Sequence, residues 1–185
     1  MTKIKSTPSA LKAATMTNSI QSSSNVVIDG YIQAGDWGAE DSLFTLCEEA
    51  IRQCIEVEAN ASILNGSEVS LLFTDDDHIK AINRNHRGFD KPTNVLSFPQ
   101  HEANASAFGP MLGDIVLGFE TTKAEANLEE KSLEHHIQHL IIHGFLHLLG
   151  YDHEEPCDAK IMEDLEIKAL GHLGISNPYK DTELL

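Results

Sequence analysis

Apolar positions along this chain recur with two different periods. From Ser42 to Ile55, Leu43, Cys47, Ala50, Ile51 and Cys54 fall on one face at helical spacing. Val69, Leu71 and Phe73 instead alternate with polar neighbours, which is the signature of a strand with one buried face. Val26 to Ile28 is a short apolar run that reads as a first strand, with Gly30 as its break. Residues 57–67 are polar and contain the turn signal Asn65-Gly66. Thr74 followed by Asp77 resembles a capping box opening a helix from Asp75 to about His86, which Gly88 ends.

Pro92 keeps Lys91 extended. Val95 to Phe98 then reads as a strand stopping at Pro99, and a polar stretch leads to Pro110. Asp114 to Phe119 is a β-favouring apolar run, expected to be a central strand. Helical periodicity resumes near Thr121, and Ser132 can cap a helix that runs to Leu149 and stops at Gly150. Pro156 suits the first turn of a last helix ending near Gly171, with Ile161, Leu165 and Ala169 on one face. The order β-α-β-α-β-β-α-α predicts an α+β fold. A single mixed sheet of about four strands packs against helices, among them the central helix that ends at Leu149.

Residues 1–25 are rich in Ser, Thr and Lys, hold no acidic residue and show little apolar periodicity. They read as a disordered tail, leaving residues 26–185 as a single domain. The richest apolar stretch, Leu140 to Leu149, is interrupted by His143, Gly144 and His147, so no membrane span is expected. Cys47, Cys54 and Cys157 form no CxxC pair and leave an odd count, which suits a reducing cytoplasm. Cys47 and Cys54 read as core residues. Cys157, four residues past His153, reads as facing the core of the last helix, with approach to the metal as the other option.

The net charge of −16 works against non-specific nucleic-acid binding. The charge is uneven, however. The arginines are Arg52, Arg84 and Arg87, and between Lys80 and Lys91 four basic residues face one acid, Asp90. An anionic substrate would meet the protein there.

The chemistry concentrates in HGFLHLLGYDH, residues 143–153. His143 and His147, four apart on a helix, place two imidazoles on one face, one turn apart. Gly150 lets the chain leave with positive φ, so that His153 returns as a third ligand. Chance i, i+4 pairs are common in a chain with ten histidines, and His135 with His139 is one. The third histidine beyond a helix-stopping glycine is what sets this group apart. Three neutral imidazoles with a fourth position open is the catalytic rather than the structural zinc arrangement. His139, one turn before His143, reads as an outer donor or a packing residue.

The spacing H-x-x-x-H-x-x-G-x-x-H matches the metzincin metalloprotease pattern except after the first histidine. There those enzymes carry a glutamate as general base and this chain has Gly144. A metallopeptidase is thereby demoted. Phosphodiester cleavage fits better, with Arg87 beside Gly88 as the candidate phosphate contact, although a guanidinium at a helix end can also be merely solvated.

Three blocks, HRGFDKPTNVLSFP (86–99), GDIVLG (113–118) and HGFLHLLGYDH (143–153), resemble the YbeY family over roughly residues 67–171. That family comprises bacterial and organellar endoribonucleases acting in rRNA maturation. The resemblance implies one zinc ion on His143, His147 and His153, and a functional role for Arg87. It also implies cleavage of single-stranded RNA in 16S rRNA 3′-end maturation and ribosome quality control, with ribosomal subunits or assembly proteins as partners. Neither DNA nor a membrane is expected as a partner, and the expected location is the cytoplasm. The alternative is a non-catalytic ribosome-assembly factor with a structural metal, which the acidic charge favours. Phe89 stands where a lysine is common in the family, which removes a positive charge near the proposed phosphate contact. Ser97 is read as lining the pocket, and Asp114 as orienting a loop or ligand.

Overall fold

The computed structural model describes residues 18–21, 26–58, 61–102 and 105–180. In chain order they form β1 (Asn18–Gln21), β2 (Val26–Ile32), α1 (Glu40–Val57), β3 (Ser67–Thr74) and α2 (Asp76–Arg87). β4 (Val95–Pro99), β5 (Met111–Gly118), α3 (Phe119–Leu128), α4 (Leu133–Leu148) and α5 (Pro156–His172) follow. The strands make one mixed sheet in the order β1-β2-β3-β5-β4. β2, β3 and β5 run parallel, and β1 and β4 pair antiparallel at the two edges. The fifth strand, beyond the four expected, is β1. It lies within the segment read as a tail, and the rest of that segment lies outside the described residues.

Side chains alternate across the pleat, so β3 and β5 each feed two separate apolar layers. Val69, Leu71 and Phe73 of β3 and Ile115 and Leu117 of β5 join α1, α4 and α5 in the main core. Leu72, Leu96 and Val116 point the other way, against Ile79 and Ile82 of α2. The helix carrying Arg87 therefore covers the sheet face opposite the one carrying the histidines.

Gly30 does not break β2 but lies inside it. A Cβ at that position would stand 2.0 Å from the Phe44 ring, so the glycine lets α1 lay an aromatic directly on the strand backbone. The cap of α2 sits one residue later than the capping-box reading. Asp75, not Thr74, accepts the His78 amide at 2.9 Å, because Thr74 is still paired in β3. Ser132 caps α4 as expected, accepting the His135 amide at 3.2 Å.

The buried face of α5 is rotated from the predicted one. Met162, Glu166, Ala169 and Leu170 are buried, whereas Ile161 is 53% exposed. The cause is polar, since Glu166 is drawn inward by partners on α4. Cys47 and Cys54 are core residues, but Cys157 is exposed on the first turn of α5 and faces neither core nor histidines.

Candidate metal centre

α4 runs along the sheet with His143 and His147 on consecutive turns, and ends in a left-handed cap. Gly150 takes φ 88°, its amide bonds the His147 carbonyl at 3.0 Å, and the Tyr151 amide bonds Leu146 O at 3.1 Å. This is a Schellman turn, which satisfies carbonyls the helix end would otherwise leave open. It reverses the chain so that His153 stands over the two helical histidines. The ring centroids lie 4.6 Å (His143–His147), 5.4 Å (His143–His153) and 5.1 Å (His147–His153) apart. One ligand atom from each falls within 4.8 Å of the others, so the group could hold a metal ion.

The partners of the two helical imidazoles fix which nitrogen is free. His143 Nδ1 donates to Glu166 Oε1 at 2.8 Å, and His147 Nδ1 donates to the Tyr151 carbonyl at 2.9 Å. Both Nε2 atoms are then bare acceptors, and they face each other at 3.1 Å. Two lone pairs cannot bond one another; a cation between them resolves the contact. Orientation of a ligand ring through its second nitrogen is the usual support of a histidine metal site. Burial, and next the neighbouring His143, push the His147 imidazole down to about 4, so it is a neutral donor at neutral pH.

Glu166 is the residue that sequence periodicity missed. It is 1% exposed, yet it accepts from three groups: His143, the Nε2 of His139 at 2.9 Å, and the Tyr179 hydroxyl. Burial pulls its carboxyl up, but the bonds from His139 and His143 outweigh that and hold it down at about 2. A permanent carboxylate here keeps the proton on His143 Nδ1 and the lone pair on Nε2. His139 thus touches Glu166 rather than the triad, as its outer placement predicted. The only sequence-level hint of Glu166 was a charge on the apolar side of α5.

Glu166→Gln keeps the volume and removes the charge. We expect affinity for a divalent metal, probed with zinc, to be about 10- to 100-fold weaker with the fold retained, read by competition with a chromophoric chelator. Unchanged affinity would show that the carboxylate does not tune the site.

Gly144 is buried against the sheet, where a Cβ would lie 3.0 Å from both Ser97 Oγ and Ile115 Cγ2. The position after His143 therefore faces β4 and β5, and a glutamate has no room there without displacing them. Ser97 thereby packs on α4 through this close approach.

Asp114 is not part of the centre. It lies on the α2 face of the sheet, where burial raises its carboxyl while hydrogen bonds with Ser70 and Gln100 pull the other way. A cavity of about 300 Å3 runs beside the triad, lined by His143, His139, His136, Glu125 and Asn94 among others. Glu125 there joins His136 and Asn94, each at 2.9 Å.

Arg87 is exposed at the end of α2 and, among the described residues, makes no hydrogen bond or ion pair. The structure does not place it in contact with the triad. Their sequence neighbours meet β4 from opposite sides: the His86 ring packs on Phe98 at 5.1 Å, and Gly144 abuts the adjacent Ser97.

Comparison with known proteins agrees with this architecture. Residues 39–174 match the family model described as Endoribonuclease YbeY. The chain is 48% identical over 155 residues to the Endoribonuclease YbeY of Rhizobium meliloti, covering 81% of this chain and 92% of that protein. It is 45% identical over 170 residues to the one from Rhodopseudomonas palustris, covering 90% and 85%. The solution structure of TM1509 from Thermotoga maritima superposes with a TM-score of 0.51 at 25% identity, over 85% of this chain and 97% of that one. With a matching family model spanning most of the described fold and the histidine block inside it, the chain belongs to the Endoribonuclease YbeY family.

Proposed function

We propose that this protein is a zinc-dependent endoribonuclease that cuts single-stranded RNA. Its setting would be 16S rRNA 3′-end maturation and ribosome quality control in the cytoplasm, on ribosomal subunits or with assembly proteins. The observation that carries the reading is the pair of Nε2 lone pairs facing each other at 3.1 Å, with both Nδ1 atoms already committed. The names and coverage of the relatives support the endoribonuclease class. No helix among the described residues is long and apolar enough to cross a membrane.

His143, His147 and His153 hold the metal. An all-imidazole set with no thiolate suits a borderline ion such as zinc. Bound there, zinc would supply a Lewis acid for a phosphoryl oxygen or the attacking group. Glu166 and the Tyr151 carbonyl keep the two helical rings in the ligating tautomer. Arg87 is the phosphate contact. Its guanidinium has no partner among the described residues and can offer two parallel N–H bonds to phosphate oxygens.

The test uses protein freed of contaminating nucleases, with an oligoribonucleotide from a 16S rRNA 3′ end, single-stranded or annealed to its complement. The zinc-loaded protein should cut the single strand and spare the duplex. A chelator should stop cleavage, and one equivalent of zinc should restore it. Circular dichroism of the chelated protein separates the alternative that the net charge of −16 favours, an assembly factor with a structural metal. Unfolding on chelation, with no cleavage when loaded, would establish that alternative instead. Hydrolysis of casein would revive the peptidase.

A further inference from the structure

The loop after α2 holds an aromatic ring out into solvent within the basic stretch of an otherwise acidic chain. Phe89 is 55% exposed. It is not carried on a loose segment, because the backbone is tied on both sides of it. The Gly88 amide bonds the Arg84 carbonyl at 3.1 Å in a left-handed cap with φ 78°. Asn83, only 3% exposed, donates from Nδ2 to the Lys91 carbonyl at 2.9 Å. Four residues thus bridge two anchored points with the ring between them.

The charges around the ring are sorted. Lys80 and Arg84 approach Asp90 at 3.8 and 3.9 Å, which occupies the loop's one acid. Arg87 and Lys91, two residues to either side of Phe89, are exposed and have no ionic partner among the described residues. A flat apolar face flanked in sequence by two unneutralised cations suits a ligand that is itself flat and apolar in one part and anionic in the next. Unpaired nucleotides have that composition. In a duplex the base faces are already stacked and out of reach.

We propose that Phe89 is a stacking platform for a base of single-stranded RNA, next to the phosphate that Arg87 engages. This rests on the RNA-cleaving reading above and adds a positioning residue to it. Stacking would give the chain its grip on RNA where its overall charge repels the backbone. It also provides a local reason for preferring unpaired strands, since the platform has nothing to accept from a helix.

The experiment compares wild type with Phe89→Ala, Phe89→Leu and Phe89→Trp, using zinc-loaded full-length chain and a single-stranded oligoribonucleotide. Alanine substitution at a stacking position weakens binding by about 5- to 100-fold. Phe89→Ala and Phe89→Leu should therefore raise KM by that factor while kcat changes little. Phe89→Trp should keep wild-type KM, and its emission should be quenched by the single strand but not by the duplex. Trp37, 6% exposed, supplies a constant background. The inference is overturned if Phe89→Ala keeps the wild-type KM, or if Phe89→Leu does, since leucine preserves apolar bulk without a stacking face. It is equally overturned if Phe89→Ala loses only association with ribosomal particles while naked RNA is cut normally, which would make the ring a protein contact. In those cases RNA cleavage itself still stands. Wild-type protein that neither binds nor cuts RNA would remove both readings together.

Discussion

His147→Ala should reduce bound zinc from one per chain to near none and take RNA cleavage down to background. In the proposed site His147 is the middle ligand. It faces His143 at 3.1 Å through Nε2 and is locked by the Tyr151 carbonyl through Nδ1, so no neighbouring side chain can take its place. Structural zinc sites release on the order of 10–16 kcal/mol, so one ligand accounts for roughly 3–4 kcal/mol. That corresponds to a loss of about 100- to 1000-fold in affinity. Elemental analysis and melting curves with and without zinc read the result. In wild type, zinc at 100 times its dissociation constant adds about 2.7 kcal/mol. For a chain of this size that is roughly 5–10 °C in Tm. The variant should show no such shift, while its metal-free Tm should stay close to that of metal-free wild type, because losing the ring also removes the clash of two lone pairs. A zinc-dependent shift of wild-type size in His147→Ala would place the metal elsewhere.

Arg87→Ala should cost a comparable factor in rate while leaving zinc content and folding untouched. Removing one preorganised donor from a developing anionic charge slows catalysis by about 100- to 1000-fold. Arg87 is exposed and, among the described residues, unpaired, so its loss should change stability by no more than about 0.5 kcal/mol. That separation of rate from stability makes the variant informative. Arg87→Lys keeps the charge without the bidentate fork and should recover only part of the rate. Cleavage by Arg87→Ala at the wild-type rate would mean that the arginine only solvates the end of α2, or that the activity belongs to a contaminant.

The histidine cluster was legible because its information is local. Two histidines four apart on a helix share a face by the 3.6-residue period alone, and Gly150 followed by His153 encodes the left-handed turn that returns the chain. Ser132, Gly88 and Pro156 marked helix ends for the same reason: capping depends on a few consecutive residues. Gly30 misled because a glycine that relieves a turn and a glycine that admits the Phe44 ring look alike without the partner helix.

What α5 does with Glu166 was decided by tertiary structure. Apolar counting turned that helix toward Ile161 and Leu165, whereas two histidines and a tyrosine from elsewhere in the chain draw a carboxylate into the core. The direction of the Gly144 position and the packing of α2 on the face opposite α4 depend likewise on how the strands pair, which no local period reports. Sequence by itself determined which three histidines come together, since spacing within one helix and one turn is a short-range property. Tertiary structure alone decided which nitrogen of His143 carries the proton, and it set the arginine's helix on the sheet face opposite the triad. Both depend on contacts between residues far apart along the chain, made only when the sheet assembles.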